Sequence, residues 1–410
     1  MAAPPRRRIT ADRVADDSVI SFNCICYDAP VPRPPRVPTR PEDVTADWLT
    51  SFLAPRNPGV QIDDIAVLDS SQGAATRLRV RPQYAPGRDA GLPPVLFVKT
   101  SLTRRMLVAD PHMYVTEVRF YEHLRPGLTC ETPQVYAWAL DEETNRFAVV
   151  IEDLSLRSAT FPSALSRLTA DDVEPLMRTI ARLHAPNWGR RDLESSYPWL
   201  ETATKGKAAT FWRDTAREAF EIELNDGYKS EALDLEHHSL DLIVAALPAL
   251  QVANGEHPLT VLHGDTHIGN CYLLPDRTGG LLDWQLMRVA NWANDVAYTI
   301  MTALDVEQRR AGERSLLESY LDELSSLGVD APAWDEAWER YRQQMPYGIA
   351  CWMVTPTAMY SEALLDALIR RCVVAADDLD SYAALGVQRS RSRRITAGRR
   401  APASGSTARG

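Results

Sequence analysis

The 410-residue chain lacks several features that would place it at once. Its six cysteines (Cys24, Cys26, Cys130, Cys271, Cys351 and Cys372) are scattered, with one C-x-C and no C-x-x-C pair. That excludes a zinc pattern and a disulfide framework, and fits reduced thiols. No apolar run approaches the ~20 residues that span a bilayer, so no membrane span is expected. At the N-terminus, MAAPPRRRITADRVADD puts basic residues ahead of no apolar core. A secretory signal is therefore not expected, and a cytoplasmic location is. Nor is there an internal repeat with a period of 20–50 residues, which excludes solenoids and propellers.

What is present reads as a globular protein. Hydrophobic residues make up 45% and charged residues 24%, so length alone sets the expectation of two or three domains or one large two-lobed enzyme. The net charge of −10 is unevenly spread: Arg389 to Gly410 hold seven arginines and no acid, which leaves −17 on residues 1–388. An acidic body argues against nucleic-acid binding and is compatible with a cationic substrate. The Ser/Gly/Arg-rich tail over 389–410 is predicted to be disordered. A weak contact of that tail with nucleic acid or acidic lipid is the one such partner it suggests.

Along the chain the texture changes twice. Residues 1–40 end in PVPRPPRVPTR, which favours extended geometry over a packed element. A short amphipathic helix is predicted from PEDVTADWLTSFL, capped by Thr45 or Asp43. Strand patterns follow in IDDIAVLDSS, ATRLRVRPQY and PPVLFVKTSL, with a turn over 70–76 and an apolar run from Val95 to Val98 that delivers Lys99 at its end. TEVRFYEHL has helical spacing with Glu117 near its start, and ETPQVYAWAL and NRFAVVIEDL supply two more strands. From residue 155 onward helices dominate. TADDVEPLMRTIARLH carries Val173, Leu176, Met177, Ile180 and Leu183 on one face behind an N-cap at Thr169. Residues 206–250 read as one or two helices broken near Asn225–Gly227, and four further helical segments follow residue 290.

Between them lies VLHGDTHIGNCYLLPDRTGGLLDWQ, residues 261–285. Apolar runs bracket His263, Asp265, His267 and Asn270, and after a turn a second apolar pair delivers Asp283. One carboxylate can accept a proton while an amide oxygen and a second carboxylate hold Mg²⁺, a hard cation that prefers oxygen. Phosphoryl transfer from ATP needs those parts, because its catalysis is mostly positioning and charge neutralisation. The Asp-x-x-x-x-Asn spacing with a later Asp also occurs in protein kinases. Here the words are His-Gly-Asp and Asp-Trp, and that combination resembles the aminoglycoside phosphotransferase and choline kinase-like family, in its ecdysteroid-kinase-like branch. ARLHAPNW (181–188) and NWANDVAY (291–298) extend the resemblance, which runs from about residue 60 to 380.

The resemblance implies an α+β, two-lobed protein-kinase-like fold: a small antiparallel-sheet N-lobe over 41–152 that binds nucleotide, and a larger, mainly helical C-lobe over 153–388. It implies an ATP- and Mg²⁺-dependent phosphotransferase acting on a small-molecule alcohol or amino-alcohol. Asp265 becomes the catalytic base, with Asn270 and Asp283 as metal ligands. Lys99 becomes the lysine that pairs with the nucleotide phosphates, with Glu117 as its acid partner. Glu152 and Leu154, in the hinge VIEDL, would meet adenine through their backbone. The nucleotide-covering loop departs from the family: Ser70, Ser71, Gly73 and two alanines stand where members carry several glycines, although small residues still let backbone N–H groups approach phosphates. Ser71 and Gly73 are the expected contacts. His263 reads as a loop brace, His267 as a brace or a substrate contact, and Asp295 as a tie for the catalytic loop.

Trp188, Trp212, Trp284, Tyr347 and Trp352 are candidate acceptor-pocket walls, able to cage a quaternary ammonium or stack on a sugar or sterol. An aminoglycoside-modifying kinase and a catalytically idle nucleotide binder are the competing readings. A protein kinase is disfavoured because Asp-Phe-Gly and Ala-Pro-Glu are missing.

Overall fold

Two hydrophobic periods in the chain, one of two residues and one of 3.6, build two different lobes. The structure is a computed structural model that describes residues 37–102, 110–225, 228–235 and 237–388. The basic tail, and all but the last four residues of the proline-rich arm, lie outside the described residues.

The N-lobe sheet contains β1 (Ile62–Gln72), β2 (Thr76–Tyr84), β3 (Leu96–Thr100), β4 (Val135–Asp141) and β5 (Arg146–Glu152), antiparallel throughout in the order β1-β2-β3-β5-β4. Successive strand residues point to opposite faces. Register aligns Leu78, Val98 and Val150 on one face and Arg77, Lys99 and Val149 on the other. The first face packs against Leu49, Phe52 and Leu53 of α1 (Ala46–Leu53), each fully buried side chain contributing about 1.5–3 kcal/mol. Thr45 starts that helix by accepting from the Trp48 N–H. A one-residue slip of β3 would turn Lys99 into this apolar layer, so burial itself fixes the register. The turn read over 70–76 is shorter than that, because the two strands pair as far as Gln72 and Thr76.

Between β3 and β4 runs α2 (His112–Arg119), which continues as a π-helical turn over Phe120–Leu124. It begins five residues before Glu117, so that carboxylate stands in mid-helix rather than near the start.

The C-lobe is mainly helical. α3 (Ala170–His184) opens with a reciprocal cap between Thr169 and Asp172 and buries the face read from its spacing, Val173 through Leu183. Residues 206–250, read as one or two helices, hold four: α4 (Lys207–Asp214), α5 (Ala216–Leu224), α6 (Tyr228–Leu233) and α7 (Leu240–Asn254). The extra breaks arise where Thr215 leaves helical geometry at φ −124° and where Ser239 restarts the chain as an N-cap. Three short strands, β6 (Glu201–Thr202), β7 (Leu259–Leu262) and β10 (Arg288–Asn291), form a second sheet. A hairpin of β8 (Cys271–Leu273) and β9 (Gly279–Leu281) lies between them in sequence. α8 (Ala293–Ala303), buried along its whole length, is followed by α9 (Val306–Ser326), α10 (Trp334–Arg342), α11 (Met345–Val354) and α12 (Glu362–Asp378). No helix among the described residues is long and apolar enough to cross a membrane.

Candidate active site

The segment that leaves β7 can make its turn only with glycine. Gly264 has φ +81°, and a Cβ there would stand 2.0 Å from the Leu286 carbonyl oxygen. Asp295, in the first turn of α8, accepts the His263 and Gly264 N–H groups at 2.7 and 3.0 Å and lies 3.2 Å from His184 Nε2. Burial opposes ionisation of Asp295. The hydrogen bond and charge of His184, with the charge of Arg288, nevertheless carry its pKa below the ordinary carboxyl value. Thr266 Oγ1 adds a 2.7 Å hydrogen bond to the Asp295 carbonyl. The helix thus holds three loop residues that flank Asp265: His263 and Gly264 before it by their backbone, and Thr266 after it by its side chain.

His263 is fully buried, and burial lowers its pKa, so the ring is neutral. Nε2 donates to the Leu282 carbonyl at 2.8 Å, which leaves Nδ1 to accept the Asp265 N–H at 3.3 Å. The Asp265 side chain is 25% exposed. Its enclosure raises the carboxyl pKa against the lowering effect of His267 and His263. Asn270 Nδ2 donates to both the Asp265 carbonyl and Oδ2, each at 2.9 Å. With its N–H groups so engaged, the amide presents Oδ1 to other partners. His267 Nδ1 accepts the Gly269 N–H at 3.1 Å, while Nε2 is 3.9 Å from Asp265 Oδ2. Its place is within the loop.

Opposite this group Lys99 Nζ sits 2.8 Å from Glu117 Oε2 and 2.8 Å from Asp283 Oδ1. Burial would discharge the lysine, but Asp283 and Glu117 outweigh it and its pKa is raised. The two carboxyls part company. Burial and the neighbouring Asp283 charge push Glu117 up, whereas Lys99 and Arg77 draw Asp283 down against its own desolvation. Asp283 also holds a left-handed backbone conformation, φ +66°, at the end of β9's extension. The two residues after it explain the rest of Asp-Trp-Gln. Trp284 stacks on Phe120 with centroids 3.8 Å apart and donates to Thr132, while Gln285 Nε2 donates to Glu117 at 3.1 Å.

Lys99, Glu117, Asn270 and Asp283 line a cavity of about 190 Å³ that also takes in Glu152 and Leu154. Asp283 and Asn270 Oδ1 are two hard oxygen donors on its wall, and among the described residues no group of three or more His, Cys, Asp or Glu is gathered to hold a metal. Two protein oxygens supplemented by phosphates is how Mg²⁺ is ordinarily bound, so the residues fit that ion.

Ser71 and Gly73 are not brought into the cavity. Both are exposed at the β1–β2 turn, and the Gly73 N–H is already donated to the Ala75 carbonyl at 3.0 Å. Arg77 lines the cavity instead, with Nη2 3.9 Å from Asp283 Oδ2. Sequence reasoning missed it because an arginine in the polar phase of a strand reads as solvent-facing. The available signal was its parity with Lys99, which it faces directly across the β2–β3 pair. Gln285 was also missed. Among the aromatic candidates, Trp284 is core packing and no pocket wall, and Trp188 leans on Trp292 at 6.1 Å. Trp352 meets the His267 ring edge-on at 5.2 Å. Trp212 and Tyr347 line a second, smaller cavity.

Residues 78–328 match the sequence model of the ecdysteroid kinase-like family. No match is found among proteins of curated function. Among solved structures, a choline kinase of Streptococcus pneumoniae is 14% identical over 82% of this chain and 99% of its own, with a TM-score of 0.42. A Plasmodium vivax ethanolamine kinase is 11% identical over 76% and 81%, with a TM-score of 0.45. A spectinomycin phosphotransferase solved with ADP and spectinomycin is 12% identical over 82% and 98%, with a TM-score of 0.45.

Proposed function

The chain belongs to the ecdysteroid kinase-like family, and from that premise we propose that it transfers the γ-phosphoryl group of ATP, held with Mg²⁺, to the hydroxyl of a small-molecule acceptor. The observation that carries this reading is the arrangement across one cleft. Lys99, clamped by Glu117 and Asp283, shares one cavity with Asn270, and the Asn270 amide holds the Asp265 carboxylate.

Each group has a defined task. Asp265 accepts the acceptor's hydroxyl proton as that oxygen bonds to the γ-phosphorus and the bond to the ADP oxygen breaks. Its enclosure keeps it basic enough to do so, and a loose transition state asks little early proton removal. Asn270 and Asp283 hold the metal, which supplies neutralisation of the charge on the phosphate oxygens. Lys99 meets the α- and β-phosphates, aimed by Glu117, which Gln285 in turn holds. Arg77 approaches the terminal phosphate from β2, in the place where a glycine-rich loop would act. Glu152 and Leu154 meet adenine by their backbone: Leu154 opens a 3₁₀ turn, so its N–H has no acceptor within that turn.

The test is Asp265→Asn in the full chain, assayed by ³¹P detection of product across a panel of alcohols. Turnover should fall by about two to four orders of magnitude while the thermal shift given by Mg·ATP persists. Because the carboxyl must be ionised to act and its pKa is raised, wild-type kcat/KM should be lost as pH falls through a value above the ~3.9 of an ordinary Asp. Unchanged turnover in the variant would overturn the assignment. Mg·ATP binding with no product from any alcohol would favour an idle nucleotide binder.

A further inference from the structure

A half-buried arginine packed on the loop that carries the candidate base bears on which acceptor this site takes, an inference that rests on the phosphotransferase reading. Arg288 opens β10 in antiparallel register with Leu262. Its side chain packs against the catalytic loop: a Cβ on Gly264 would stand 3.7 Å from Arg288 Cγ. The guanidinium lies 4.9 Å from the Tyr347 ring centre and donates to Asn294 Oδ1 at 2.6 Å. Tyr347 in turn donates its hydroxyl to the Gly264 carbonyl at 3.1 Å. Both partners of the guanidinium are uncharged. Among the described residues no carboxylate oxygen lies within 4.0 Å of it, and Asp295 acts on it only from farther away. Enclosing a cation without a paired anion is costly, and an anion from outside relieves that cost.

Arg288 also lines a small cavity walled by Trp212, Leu247, Leu250 and Tyr347. Asn254 lines it too. That residue is 7% exposed, and its buried Oδ1 has no hydrogen-bond partner among the described residues. The cavity measures about 30 Å³, against roughly 10–15 Å³ for one water. A group of two or three heavy atoms fills it, so it suits the head of an acceptor and not its body. No carboxylate lines it, which leaves an ammonium head without a counter-charge.

We propose that the acceptor is a hydroxy acid whose carboxylate docks between Arg288 and Asn254 while its hydroxyl reaches Asp265. A planar guanidinium matches a carboxylate with paired N–H donors, and the Asn254 amide, turned to present its NH₂, completes the seat. The apolar walls then take the carbons next to the carboxylate. The site selects against choline-like and aminoglycoside acceptors, because their positive charge would meet Arg288.

The experiment uses the full chain, Mg·ATP and a panel of aliphatic and aryl hydroxycarboxylates, each beside its primary amide and its amino-alcohol counterpart. Product is followed by ³¹P detection and acceptor binding by calorimetry without nucleotide. Hydroxycarboxylates should bind and react, with the amides and amino-alcohols on the order of a hundredfold weaker in kcat/KM. Arg288→Gln should raise KM for the carboxylates by about that factor and for the amides by less than about threefold, and Arg288→Lys should restore part of the preference. Asn254→Asp, which supplies Arg288 with an internal carboxylate, should weaken hydroxycarboxylate binding with Arg288 itself intact. Phosphorylation of amino-alcohols or sugars in preference to hydroxycarboxylates would overturn this proposal and leave the phosphotransferase reading standing. So would an equal loss for carboxylates and amides in Arg288→Gln. Arg288-dependent binding of hydroxycarboxylates without any product would do the reverse.

Discussion

The loop after β7 and the β1–β2 turn are both short polar connections between strands, yet they are built on opposite plans. The loop after β7 is anchored from beneath: Asp295 takes two successive backbone N–H groups, His263 reaches Leu282, and Asn270 clasps Asp265. The β1–β2 turn is exposed, and its Gly73 N–H is spent on Ala75 within the turn. What it contributes to the cleft comes from the strand after it, through Arg77. In one region the backbone is positioned so that side chains can act. In the other the backbone stays outside the cavity and a single side chain lines it.

Removing the anchor should give the largest effect. Asp295→Ala leaves the His263 and Gly264 N–H groups buried without an acceptor and His184 Nε2 without its carboxylate partner. A loss of about 3–5 kcal/mol in unfolding free energy is expected, read from urea denaturation. The pH dependence has a definite sign. The folded pKa of Asp295 is depressed, so its contribution is complete above the ~3.9 of an unfolded Asp and is lost as pH falls from there through the folded value. The stability gap between wild type and variant should therefore be flat near neutrality and close only in acid. A gap that closes on the alkaline side would show that the carboxylate is not what anchors the loop.

The same contrast explains what could be read from the sequence. Asp265, Asn270 and Asp283 lie within 19 residues, and their setting is two short strands, so local spacing carries the constellation. Lys99 was legible because an apolar strand that ends on a lysine must give it a partner, and Glu117 stands on the next helix. The five N-lobe strands and the helix among them were legible from strand-like runs and helical spacing. The supports were not legible. His184 is 111 residues from Asp295, and Gln285 is 168 from Glu117, and no periodicity links positions brought together only by packing. Arg77 and Arg288 share this difficulty, since each reads as an ordinary polar position of a strand until the opposite wall is in place.

A middle-sized effect tests the other half of the comparison. Arg77→Gln should weaken ATP by about tenfold while leaving ADP within a factor of about two, because one charge-assisted contact to the terminal phosphate is removed. The Arg77 side chain is 40% exposed, so solvent screening holds the effect to that order. Calorimetric titration with both nucleotides measures the split. An equal loss for ATP and ADP would move Arg77 away from the terminal phosphate and make it a support for Asp283.

The smallest effect is expected at the turn itself, where family resemblance pointed to Gly73 as a phosphate contact. An added methyl there meets only Arg77 Nη2 at 3.5 Å and the Ala75 carbonyl oxygen at 3.9 Å, ordinary van der Waals distances. Gly73 has no positive φ to protect, and its N–H is already engaged inside the turn. Gly73→Ala should therefore change ATP affinity by less than about twofold and leave the ATP-to-ADP ratio where it was. A loss of tenfold or more in ATP binding alone would show that the turn rearranges to offer its backbone to the phosphates. The β1–β2 region would then work as the catalytic loop does, by placing backbone, and Arg77 would be the residue that holds it there.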